Sequence, residues 1–284
     1  MIKRFLAMTT TLCMLFLLFP ATVVAVEAET EEPVASEPNV LSVVVDDQII
    51  DLDVPALLEN GVSYLPCLSV VRAFYPEATE VTEEGVTSIL APGLKLELTV
   101  DQPYVVANGR YLYLPQGYRY SEDSPLLPTR TLGAILGADV AWDPVGFGVV
   151  MTTGSTGLIT PAEEAYDETQ LYWLSHIINA ESGNQPLTGK IGVGNVILNR
   201  VASTTFPDTV KGVLFQKNQF TPASTGSIYK EPNAESVVAA KLCLDGANTV
   251  GNALFFHNPR TAPNCWAARN RTYLTTIGNH AFYG

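Results

Sequence analysis

Glu181 is the residue of this sequence best placed to do chemistry. Leu171, Leu174 and Ile178 fall at i, i+3 and i+7, and Ile177 widens the stripe, so this stretch reads as a helix with one apolar face. Glu181 stands three residues after Ile178, four after Ile177 and seven after Leu174, which puts it on the buried side. A carboxylate in apolar surroundings loses hydration; that favours the neutral form and raises its pKa. A carboxyl that keeps its proton near neutral pH can act as a general acid on a glycosidic oxygen. The structural alternative is a helix-end Glu that turns back to water.

The elements around Glu181 must hold it in place. Asp167-x-x-Gln170 fits a capping box at the start of its helix, which makes Asp167 structural. Gly183-Asn184 reads as a C-cap and turn. A second helix follows and ends in Asn199-Arg200. Gly189, Gly192 and Gly194 lie in or beside it, and each costs up to ~1 kcal/mol of helix propensity, which implies close backbone packing against the first helix. Pro207-Asp208-Thr209 opens a short helix, and Asn233 and Gly246 bracket another. Gln219 and Phe220 are expected to begin a strand beside a cleft, where an amide and a ring suit sugar hydroxyls and sugar faces. Asn199, Tyr229, His257 and Asn258 complete the candidate binding set. For Asn199 the structural reading is a polar helix end, and His257 and Asn258 follow Phe255-Phe256, which are core or cleft wall. Trp173, Trp266 and His280 read as structural.

The order of these pieces carries a resemblance. The helix ending Ala180-Glu181-Ser182 is followed by GVGNVILNRV (192–201), FPDTVKGVLFQKNQF (206–220), ALFFHNP (253–259) and IGNHAFYG (277–284). From Leu171 to Gly284 the chain resembles the bacterial cell-wall hydrolase family that includes the spore cortex-lytic enzymes. The resemblance implies a small lysozyme-like α+β domain that cuts the glycan strands of peptidoglycan between N-acetylmuramic acid and N-acetylglucosamine. It also implies that Glu181 is the acid and that spore cortex lysis during germination is a role to test.

The other carboxylates bear on mechanism. Besides Glu181 this segment has Asp167, Glu168, Asp208, Glu231, Glu235 and Asp245, none in a recognisable motif. Two-carboxylate glycosidases need a partner across the scissile bond. A lytic transglycosylase needs one Glu, since the muramyl C6 hydroxyl closes on C1. The resemblance implies the same route, so lytic transglycosylation is the expected reaction. Hydrolytic muramidase action and a non-catalytic wall-binding or assembly role are the alternatives. A nuclease or peptidase is disfavoured, because there is no metal-ligand spacing, no plausible Cys-His pair and no G-x-S-x-G. No cofactor and no metal site are expected.

The rest of the chain is of another kind. Residues 165–284 hold nine Lys or Arg against seven Asp or Glu, whereas residues 1–164 hold seven against twenty-two, within a net charge of −13. The slightly basic half suits an anionic wall polymer; no basic stripe suggests nucleic acid. Residues 1–28 read as an export signal, with Lys3-Arg4, an apolar run from Phe5 to Pro20, and small residues at Ala25 and Ala28; an uncleaved anchor is the alternative. Residues 29–39 read as a disordered acidic linker. Residues 40–153 hold a repeated theme of strand, Leu-Pro, short helix and hairpin, with Asn60-Gly61 and Asn108-Gly109 as turns, which reads as an imperfect duplication.

That region resembles the copper-amine-oxidase-like N-terminal "stalk" domain, here without a single histidine and therefore without a copper site. It is read as a wall-binding or spacing module, with a purely structural role as the alternative. Residues 154–168 are expected to be a linker and 169–284 the catalytic domain. Cys243 and Cys265 are a possible disulfide, worth roughly 3 kcal/mol on the loop-entropy argument, and Cys67 a buried thiol. The protein is expected in the wall or spore envelope, on peptidoglycan, with protein partners unknown.

Overall fold

A computed structural model of the chain describes residues 41–284, all within one compact unit. The export signal expected at 1–28 and the acidic linker at 29–39 lie outside the described residues. No helix among the described residues is long and apolar enough to cross a membrane.

The N-terminal region closes on itself. Its first strand, Ser42–Val45, pairs in parallel with its last, Gly148–Thr153, in the register Val43↔Val149 and Val45↔Met151. All four of these side chains are buried, as the period of two along a strand requires. The duplicated theme also pairs with itself. Strands Val62–Pro66 and Ser124–Pro128 run antiparallel with Leu65 opposite Leu127, and the flanking pairs Tyr64↔Pro128 and Pro66↔Leu126 are related by a local twofold. Each strand feeds an eight-residue helix, α1 (Cys67–Phe74) and α2 (Thr129–Leu136), with Pro66 and Pro128 as their N-caps.

Between the two copies a five-stranded meander runs in sequence order from Thr79 to Tyr113. Its last hairpin turns on Asn108 (φ 48°) and Gly109 (φ 77°), the left-handed pair that a two-residue hairpin loop needs. The Asn108 side chain accepts from Lys95 N at 2.8 Å and donates to Gly93 O at 2.8 Å and Ile159 O at 3.2 Å. That last bond bears on the segment 154–168, expected as a linker. Ile159 N also donates to Ile135 O at 2.9 Å, Leu158 and Ile159 pack on the N-terminal core, and α3 (Ala162–Ala165) follows. The segment is held along its length to the N-terminal region.

The C-terminal region mixes helices with an antiparallel sheet, the α+β class expected. Helices α4 (Glu168–Ser182) and α5 (Leu187–Ala202) pack against each other and against α8 (Ala234–Leu244). Two short helices, α6 (Val210–Leu214) and α7 (Thr221–Thr225), lie between. A three-stranded sheet, with His280–Tyr283 between Phe255–His257 and Tyr273–Ile277, closes the region, and α9 (Trp266–Asn270) is inserted in it.

The two regions meet at Asp245, just after α8. Its carboxylate, whose side chain is fully buried, pairs with Arg110 and with the Tyr166 hydroxyl and accepts from Tyr111 N at 2.9 Å. Tyr104, Tyr111 and Tyr113 pack on the C-terminal core. The possible Cys243–Cys265 bridge is not formed: both thiols are free. Cys243 is buried on α8 and donates to Ile191 O, while Cys265 caps α9 by accepting from Ala268 N.

Candidate active site

Helix α4 starts where its cap residue dictates. Asp167 accepts from Gln170 N at 2.7 Å, and Leu174, Ile177 and Ile178 are fully buried on the face that leads to Glu181. The end of α4 is tied to the start of α8: Asn233 N donates to Asn179 Oδ1 and the Asn233 amide to Gly183 O, each at 3.2 Å. Close approach of α5 fixes the third side. A Cβ on Gly194 would stand 2.6 Å from Cys243 Sγ and 3.0 Å from Ile178 Cδ1, so only glycine admits this packing. Packing against both α4 and α8 therefore accounts for Gly194. Gly192 instead faces Val250 and Phe282, and Gly189 lies near Ile277.

Glu181 opens into a cavity of about 260 Å3 lined also by Arg200, Gln219, Phe220, Thr221, Phe256, His257, Asn258 and His280. Burial raises the Glu181 pKa above the usual carboxylate range, with no charged neighbour among the causes. His257 and His280 are pushed the other way, chiefly by burial and, for His280, by His257 as well. Both imidazoles are neutral at neutral pH. His257 Nδ1 and Nε2 and His280 Nδ1 are buried and make no hydrogen bond within the protein. His257 is stacked on Tyr283 at 5.3 Å, which fixes its ring plane.

The other carboxylates of the C-terminal region are elsewhere. Asp167, Glu168, Asp208 and Glu231 are exposed, Glu235 pairs with Lys190, and Asp245 is committed at the junction. Among the described residues Glu181 is the one carboxylate lining this cavity, and no group of three or more His, Cys, Asp or Glu side chains could hold a metal.

The structure gathers Glu181, Gln219, Phe220, His257 and Asn258 and leaves two candidates out. Asn199 is spent on backbone: its amide donates to Gly251 O and Ala253 O, both at 2.9 Å. Tyr229, on a 3-10 turn, is exposed and meets Trp173 edge-on at 6.0 Å. The strand expected at Gln219-Phe220 is not formed; Phe220 is the N-cap of α7, and Gln219 sits in the preceding turn. The Pro222 ring at the second helical position favours a helix start over a strand.

Sequence reasoning passed over Arg200 and gave His280 a structural role. A signal for Arg200 was there: it follows Val193, Val196 and Ile197 by seven, four and three, on the buried stripe of α5. His280 carries no such mark, because burial on a central strand depends on which strands flank it.

Comparison with known proteins gives two family matches. Residues 184–283 match the family described as Cell Wall Hydrolase, and residues 44–149 match the Copper amine oxidase N-terminal domain. Glu181 lies three residues ahead of the first match. The chain is 36% identical over 123 residues to a spore cortex-lytic enzyme of Bacillus cereus, covering 43% of this chain and 47% of that protein. It is 35% identical over 130 residues to one of Oceanobacillus iheyensis, covering 46% of each. It thus spans about half the length of the curated relatives it matches. Among solved structures, the catalytic domain of the germination-specific lytic transglycosylase SleB from Bacillus anthracis is 34% identical, covered in full by 44% of this chain, at a TM-score of 0.40.

Proposed function

This chain carries a cell wall hydrolase domain behind a copper amine oxidase N-terminal domain, and from that premise we propose that it cleaves peptidoglycan glycan strands by lytic transglycosylation. The site of action is the cell wall or the spore envelope, as for the spore cortex-lytic relatives.

The observation that carries the reading is the single carboxyl in the cavity, with its pKa raised by burial. Glu181, protonated, gives its proton to the glycosidic oxygen as the bond from that oxygen to the muramyl C1 breaks. The resulting carboxylate then takes the proton of the muramyl C6 hydroxyl as its oxygen bonds to C1. The product is a 1,6-anhydro ring, no water is consumed, and Glu181 ends protonated. Proton transfer by one placed group contributes about 10²–10⁴-fold. Holding the C6 hydroxyl against C1 supplies the effective concentration that a free water lacks. Gln219, Phe220, His257 and Asn258 bind the sugars, with the unpaired imidazole nitrogens facing hydroxyl or acetamido groups.

The N-terminal domain serves as a wall-binding or spacing module, and 169–284 is the catalytic domain. The N-terminal domain's cavity of about 700 Å3, walled by Trp142, Tyr113 and Leu58 with Ser63, Gln116 and Arg130, supports a binding role.

Mass spectrometry of products tests the chemistry. Anhydromuramic ends are expected, lighter than borohydride-reduced hydrolytic ends by one water and one hydrogen molecule. Reducible ends carrying oxygen from labelled water would mark a hydrolytic muramidase instead.

A further inference from the structure

The C-terminal region buries two cations almost completely, and only one of them has a carboxylate. Lys190, 1% exposed, pairs with Glu235. Arg200 is 5% exposed, and no carboxylate among the described residues lies within 4.0 Å of it. Its Nε donates to Leu254 O at 2.7 Å and its Nη1 to Gln219 Oε1 at 3.1 Å. A guanidinium has five N–H donors, so three are left over. The rings of Phe206, Phe220 and Phe255 lie 4.9, 5.3 and 5.2 Å from it and hold its plane. Burial lowers its pKa to about 10, so it stays charged at neutral pH.

Taking an ion out of water without a counter-charge is expensive, and neutral carbonyls and rings offset only part of that cost. The acid form of Glu181 offers no compensation. While Glu181 holds its proton, Arg200 is the one net charge on the lining, since burial favours the neutral form of both histidines.

We propose that Arg200 is a carboxylate receptor: it takes an acidic group carried by the glycan substrate and so fixes the strand's register over Glu181. The planar fork suits a carboxylate, and the ligand's charge cancels the one the cavity holds. This rests on the reading that the cavity accepts a peptidoglycan strand. Two groups of such a strand supply the chemistry, the lactyl carboxylate of a peptide-free muramic acid and a carboxylate of the peptide stem.

Three soluble tetrasaccharides separate them when offered to the full chain: one with free lactyl carboxylates, one with lactyl N-methylamides, and one with lactyl-linked dipeptides ending in free acids. At least one acidic substrate should exceed the methylamide in kcat/KM by about tenfold or more, and which one does so identifies the source. Arg200→Gln should bring that ratio close to one, and Arg200→Lys should leave it intermediate, because charge remains without the fork. Equal cleavage of all three by the wild type overturns the proposal while leaving glycan cleavage intact. A ratio unchanged in folded Arg200→Gln overturns it too. Should that variant not fold, the wild-type ratio and Arg200→Lys decide. Cleavage of none of the three, with cell wall itself untouched, defeats the glycosidase reading together with this one.

Discussion

The two regions each hold a cavity, and the contrast between them separates size from chemistry. The N-terminal cavity is the larger, about 700 Å3 against about 260 Å3, yet no Asp or Glu lines it. The smaller one holds a half-buried acid, a buried guanidinium and two neutral imidazoles. Acidic residues are abundant in the first half of the chain and scarce in the second, so catalytic potential does not follow their number either. It follows desolvation. At the end of an apolar helix face, burial raises the pKa of Glu181 and favours the protonated form that a general acid needs.

The sharpest way to break this comparison is Glu181→Gln. It preserves shape and removes the one carboxyl that lines the cavity among the described residues, so turnover should fall by roughly 10³-fold with the circular dichroism spectrum unchanged. Near wild-type clearing of wall material by that variant would sink the assignment.

The next largest effect tests how far the regions depend on each other. Asp245→Ala leaves Arg110 half-buried and unpaired at the junction, and should cost about 3 kcal/mol in chemical denaturation. The fragment 165–284 should still fold and cut soluble glycan, at reduced stability because the Tyr104, Tyr111 and Tyr113 faces are removed from its core. A fragment as stable as the whole chain would make the junction incidental.

A smaller loss probes the packing that positions the acid. Gly194→Ala places a methyl against Cys243 and Ile178 and should cost about 2 kcal/mol, with turnover reduced through the shifted end of α4.

The smallest effect concerns pH. Glu181 has a raised folded pKa, so the folded state holds its proton longer than the unfolded chain does. Its contribution therefore falls as pH rises through the window between the unfolded and folded values, and it is least favourable above the folded one. Glu181→Gln should then gain stability relative to wild type as pH rises through that window, and be no more stable in acid below the unfolded pKa. The same sign governs activity, which should decline on the alkaline side of that pKa as the acid is lost.

Local signals in the sequence were strong enough for much of the scaffold. The cap at Asp167, the apolar face ending at Glu181, the cap at Asn233 and the turns at Asn60-Gly61 and Asn108-Gly109 depend on residues a few positions apart, and periodicity and turn chemistry are legible at that range. The duplicated Leu-Pro theme was legible for the same reason, although its self-pairing was not. What the sequence left open was where side chains of distant segments go. Asn199 and Arg200 are neighbours on one helix, yet one faces the backbone at 251–253 and the other the cavity. Cys243 and Cys265 lie in the same region, yet one is buried on α8 and the other caps α9, both as free thiols. Gln219 and His257 are brought together with Glu181 from segments thirty-eight and seventy-six positions away. Local sequence determines which face of an element is apolar. Which faces meet is a property of long-range packing, where each contact depends on every other, and only the tertiary structure decided that Glu181 would share its cavity with an unpaired arginine.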